Sequence, residues 1–156
     1  MRLETNLQTI ENASIEKYDE NKSFRSYLDA QENEKVDELV RKIEQQVTPA
    51  IDCVECGSCC NNLRPLASHA ELSKFLKPED IEENMYAERF SCTHLDKDCK
   101  SCTQYLDRPS ECREFPYMDR PNFAKRMPGI LQNYAICPIV FNIVEELKKE
   151  MNWENA

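Results

Sequence analysis

Glycine is almost missing from this chain: of 156 residues, only Gly57 and Gly129 are glycine. Phosphate-cradling loops and dinucleotide-binding turns need several glycines, because backbone without a Cβ must approach the ligand closely. Two isolated glycines exclude nucleotide sites of those kinds. Positive charge is also in deficit, with 20 Lys and Arg against 29 Asp and Glu and a net charge of −9. No basic run occurs, which argues against nucleic acid as a partner, since a phosphate-binding surface needs a Lys/Arg excess. A third absence is the long apolar run. Residues 1–14 alternate polar and apolar side chains, which predicts neither a secretory signal nor a membrane span. The expected location is cytoplasmic.

Cysteine, by contrast, is abundant, with nine residues in a chain that is 40% apolar and 31% charged. That balance is typical of one soluble globular domain. In reducing cytosol thiols stay unbridged unless a metal holds them, and an odd number fits a disulfide framework poorly.

Helical periodicity predicts most of the scaffold. Leu3, Leu7 and Ile10, then Phe24 and Leu28, recur at helical spacing with no intervening proline. They predict two helices with a break near Asp19 to Asn21. Asn33 can cap the next helix, Asp37 and Glu38 lie near its positive end, and Val36, Val40, Ile43 and Val47 form one stripe before Thr48-Pro49 stops it. Asn61-Asn62 and Pro65 signal an irregular turn, Ser68 to Glu71 has capping-box spacing, and Pro78-Glu79-Asp80-Ile81 opens another short helix. Residues 91–137 show little periodicity, so ligands are expected to replace a regular core there. The clearest helix is Pro138 to Met151, with Ile139, Val140, Ile143, Val144, Leu147 and Met151 on one side and Glu145, Glu146, Lys148 and Lys149 on the other. The expected fold is mainly α: a helical scaffold around an irregular cysteine-rich region, with little or no β-sheet. It comprises a helical segment 1–50, a cysteine-cluster region 51–138, and a C-terminal helix 139–156 packed on the same domain. The acidic helices are a solvated face that can also present to a protein partner.

Residues Cys53-Val54-Glu55-Cys56-Gly57-Ser58-Cys59-Cys60 place four thiols in eight positions. Cys53 and Cys56 followed by Gly57 have the form of a metal knuckle, since two intervening residues let both sulfurs reach one ion. Cys59 extends the run and Cys60 doubles it. Adjacent side chains diverge along most backbones, so either two sites lie side by side or one of this pair has another task. Cys112 follows Arg108-Pro109, where Arg108 and Arg113 can offset the charge of a thiolate site. Cys137 precedes Pro138 at a helix N-terminus, where the dipole favours thiolate. His94 is expected to be a turn residue rather than a ligand. Tyr105, Phe115 and Tyr117 are expected to pack over the site and exclude water.

The first run matches CxxCxxCC, and Cys102 to Pro116 matches C-x-x-Y-x-x-R-P-x-x-C-R-x-F-P. Together with Cys92 and Cys137-Pro138, these motifs resemble the YkgJ-like cysteine-cluster family, a zinc- or iron-chelating domain, from about Asp52 to Pro138. The resemblance implies Cys53, Cys56, Cys59, Cys60, Cys92, Cys102, Cys112 and Cys137 as metal ligands, enough for two four-sulfur sites; Cys99 has no place in the pattern. It implies zinc or iron, including an iron-sulfur cluster, as cofactor. The expected function is metal binding in a structural or accessory role. The alternative is an iron-sulfur redox protein or an accessory subunit of a protein-modifying enzyme.

Overall fold

The apolar stripes become helices in the computed structural model, which describes residues 1–62, 68–84, 91–99 and 101–154. In chain order the helices are α1 Leu7–Glu16, α2 Tyr18–Asp29, α3 Asn33–Val47, α4 Cys53–Cys56, α5 Ser58–Asn62, α6 His69–Leu72, α7 Pro78–Asn84, α8 Ser110–Glu114, α9 Phe123–Gln132 and α10 Pro138–Glu150. Among the described residues there is no strand, only an isolated antiparallel bridge between Leu95 and Cys102. The mainly α expectation therefore holds. No helix among the described residues is long and apolar enough to cross a membrane. The turn expected at Pro65 lies outside the described residues, while Asn61 and Asn62 belong to α5.

The chain divides into two compact units, one made of Met1–Ile51 with Pro116–Ala156 and the other of Asp52–Phe115. The first is a helical bundle in which α3 packs on α10 and α9, α2 on α9, and α1 on α2 and α10. Val36, Val40, Ile43 and Val47 are buried on α3 as predicted, each such burial stabilising by about 1.5–3 kcal/mol. Asn33 does not cap α3; Glu32 occupies that position without a side-chain cap bond. Asp37 caps a different helix. Its Oδ2 and Oδ1 accept the backbone N–H groups of Asn122 and Phe123, each at 2.8 Å. This satisfies the exposed N-terminus of α9, whose own Asn122 is left-handed (φ 59°) and makes no side-chain cap.

Helix α9 itself departs from the sequence reading of 91–137. Pro128 lies inside it, forfeiting a backbone hydrogen bond and normally costing about 3 kcal/mol. Burial of Phe123, Ala124, Met127 and Ile130 offsets that cost. The break between α1 and α2 falls at Lys17 rather than near Asp19 to Asn21, because Asn21 is needed inside α2.

Lys148, expected on the polar face of α10, is instead buried at 5% exposure. Its Nζ donates to Glu20 Oε1 at 2.7 Å, Asn21 Oδ1 at 2.7 Å and Glu145 Oε1 at 2.6 Å. Phe24, Tyr134 and Trp153 face it with their rings. The Tyr134 hydroxyl donates to Glu145 at 2.7 Å, and Lys17 also pairs with Glu145. Asn142 is similarly buried, gripping the backbone of Glu4 through both amide atoms.

Burial opposes ionisation of Glu145, but hydrogen bonds from Lys148 and Lys17 outweigh it and hold the carboxyl below its ordinary 4.5. Burial likewise opposes the charge of Lys17, yet Glu145 raises it above 10.5. Tyr134 is raised far above 10 by burial and the nearby Glu145. A lowered carboxyl stabilises fully above its unfolded pKa and loses that contribution as pH falls through the folded value; the raised Lys17 and Tyr134 stabilise fully below theirs and lose it as pH rises. The bundle should therefore lose stability below about pH 4.5 and above about pH 10, with Glu145→Gln flattening the acid arm in thermal melts. Lys148→Met leaves buried carboxylates underpaired and should cost about 3 kcal/mol in urea unfolding followed by Trp153 emission.

Candidate metal centre

Asp52 starts the cysteine knuckle: its Oδ1 accepts the N–H groups of Val54 at 2.8 Å and Glu55 at 3.4 Å. The single turn that follows places Cys53 and Cys56 three residues apart on one helical face. Gly57 ends it in the left-handed region (φ 58°, ψ 4°), where its N–H bonds the Cys53 carbonyl at 3.2 Å. This is the chain's one glycine at positive φ, in a conformation that a Cβ would strain. Helix α5 begins at once and carries Cys59 and Cys60. Their side chains do not diverge as expected, since the Cys59 thiol hydrogen-bonds Cys60. Successive helical residues are rotated by about 100°, not the 180° of a strand, so two short side chains can lean together.

A loop brings two more thiols. The Cys92 N–H donates to the Cys60 carbonyl at 2.8 Å, joining that loop to the knuckle. From there the loop closes on itself through Asp96 N–H to the Ser101 carbonyl at 2.9 Å and Thr103 N–H to the His94 carbonyl at 2.7 Å, with Cys102 bridged to Leu95. Cys99 sits exposed at the turn, its sulfur 2.8 Å from Ser101 Oγ. Helix α8 supplies half-buried Cys112. Among the described residues, an apolar cluster beside these segments comprises Leu72, Leu76 and Ile81 with Phe75 and Cys92 against it. The capping box of Ser68 and Glu71 forms as predicted.

Burial pushes the Cys112 thiol up to about 11, reinforced by Cys60, Cys92 and Cys102 and opposed by Arg108. Cys92 is raised by burial and by Cys60, Cys102 and Asp80, against a backbone hydrogen bond from His94. Cys53 is raised by burial and by the neighbouring Cys56. Cys60 moves the other way, to about 7, because the Cys59 hydrogen bond and Arg108 outweigh its burial. Thiols from α4, α5, the 92–102 loop and α8 thus feel one another's charge.

Nevertheless, no three His, Cys, Asp or Glu side chains among the described residues are gathered closely enough to hold an ion. The donor chemistry suits zinc or iron, and coordination would require these segments to draw in.

None of the nine cysteines is in a disulfide. Cys137 belongs to the helical unit, buried at 7% exposure as the N-cap of α10. The other seven expected ligands lie in the Asp52–Phe115 unit. His94 is engaged elsewhere: its Nε2 donates to the Phe75 carbonyl at 2.7 Å and its ring packs on Phe75. Tyr105 does not seal the site, being 39% exposed with Arg108 stacked on its ring. Tyr117 lies in the helical unit beneath Arg120, and Phe115 is half-buried. The sequence reading missed the Asp52 cap, although an aspartate just before a one-turn helix is an N-cap signal.

The family model CxxCxxCC, described as "Putative zinc- or iron-chelating domain", matches residues 52–139, a span that contains all eight expected ligands. No curated protein and no solved structure matches.

Gly57→Ala should destabilise the knuckle by about 1 kcal/mol, seen as faster amide exchange across 52–62. Gly129→Ala, in α9 with no atom within 4 Å of the added methyl, should be neutral or stabilising by up to about 1 kcal/mol.

Proposed function

The chain belongs to the CxxCxxCC family, and from that premise we propose that its Asp52–Phe115 unit binds zinc or iron through thiolates in a structural or accessory role. The observation that carries this reading is the shared field of Cys60, Cys92, Cys102 and Cys112, contributed by three separate segments. Cys53, Cys56 and Cys59 complete the donors proposed within the unit. Zinc is the preferred ion, because a redox-silent tie between segments suits short helices that cannot stand alone. An iron-sulfur cluster at the same thiols would instead carry electrons. Nine thiols outside disulfides favour a reducing, cytoplasmic setting.

Metal would also supply folding free energy here, since a cation compensates thiolates that otherwise repel one another. The donors become ligands only by losing protons, so uptake should release acid.

Protein purified without oxygen should contain metal by elemental analysis: colourless with zinc, or brown with acid-labile sulfide if a cluster is present. Metal-free protein under both aerobic and anaerobic preparation would overturn the reading. Cys60→Ser should lower the metal content and Cys99→Ser should not, with Cys137→Ser measured alongside. Chelation should speed amide exchange within 52–115 while α3, α9 and α10 keep their protection.

A further inference from the structure

Helix α1 buries only Ile10 of its ten residues, whereas α3 and α9 bury four each. Two large apolar side chains at its end face solvent: Ile15 is 73% exposed and Tyr18 69%. Between them Lys17 keeps helical hydrogen bonds, its N–H to the Ala13 carbonyl at 2.9 Å and its carbonyl to the Asn21 N–H at 2.8 Å. A helical turn therefore continues across the junction with α2, and residues three apart are neighbours on its surface. A lone exposed apolar residue is ordinary, but an adjoining pair with an aromatic member has the composition of an interface centre.

The charge around this pair is of one sign. Glu11 lies one turn before Ile15, Asp19 one turn after it, and Glu16 beside it, all exposed. The cation within the stretch is turned inward: Lys17 pairs with Glu145 of α10 and lies 3.7 Å from Glu20, so its charge is already balanced. Lys22, the next exposed cation, comes one turn beyond Tyr18.

An apolar pair inside an acidic rim selects among occupants. Anionic lipid is repelled by the carboxylates. A second copy would bring the same carboxylates face to face in a two-fold contact, and each chain carries a net charge of −9. A protein segment with Lys or Arg beside large apolar residues meets both requirements, burying Ile15 and Tyr18 while its cations face Glu11, Glu16 and Asp19. We infer that the α1–α2 junction is a docking surface, centred on Ile15 and Tyr18, for a basic amphipathic segment of a partner protein. This surface lies wholly in the helical unit, so it is separable from metal binding by the Asp52–Phe115 unit.

The test is fluorescence anisotropy of a labelled amphipathic peptide of leucine and lysine titrated with the full-length chain, beside a peptide of the same pattern with glutamate in place of lysine. The basic peptide should bind and the acidic one should not. Ile15→Ser with Tyr18→Ser should weaken binding by about tenfold or more. Glu16→Gln with Asp19→Asn should weaken it by about threefold, a difference that shrinks in high salt. Glu34→Gln with Glu38→Gln removes the same charge from exposed positions of α3 and should have the smaller effect. Thermal melts followed by Trp153 emission check that each variant stays folded. Equal losses from the two carboxylate pairs, unchanged binding after the Ile15 and Tyr18 substitutions, or no binding by the unaltered chain would each overturn the assignment. So would binding to phosphatidylserine vesicles, or a dimer in sedimentation, that the Ile15 and Tyr18 substitutions abolish.

Discussion

Gathering thiols from separate segments, where burial and neighbouring sulfurs disfavour their ionisation, is the constraint on which the Asp52–Phe115 unit depends. Cys92 and Cys112 are each held in the protonated form by burial and by the sulfurs around them. In the proposed metal-bound form a cation would reverse that balance, favouring the thiolates it holds. Among the described residues of this unit, the buried apolar side chains are Leu72, Leu76 and Ile81. Short helices of four or five residues do not stand alone in water. They rely on caps such as Asp52 and Ser68 and on a left-handed terminus at Gly57, and the proposed metal would add a central attraction.

The helical unit meets the opposite problem. It has ample apolar surface, and its specificity comes from polar groups placed within the core. Lys148 reaches three acceptors on α2 and α10, Asp37 of α3 caps α9, and Asn142 of α10 grips the segment before α1. Each ties helices that are distant in sequence and satisfies groups that would be costly to bury alone. No buried side-chain nitrogen or oxygen among the described residues lacks a partner.

Legibility in the sequence followed the range of the interaction. The stripes of α3 and α10 were readable because helical periodicity is local, and the Ser68–Glu71 capping box because both partners lie within one turn. Helix α9 was hidden by Pro128, whose local penalty is overcome by burial that a residue count does not reveal. Lys148 was assigned to solvent because charge usually marks an exposed face; its partners Glu20 and Asn21 lie more than a hundred residues earlier.

By itself the sequence determined that this chain is helical, poor in the glycine that nucleotide sites demand, and built around CxxCxxCC with further cysteines downstream. Those are properties of composition and short spacing, and they survive whatever the distant parts of the chain do. Only the tertiary structure decided that the 92–102 loop is joined to the knuckle at Cys60, that Cys92 and Cys112 are raised by neighbouring sulfurs, and that Cys137 is buried in the helical unit. Such juxtapositions come from chain reversals and burial, and Coulomb interactions depend on distance in space rather than along the chain.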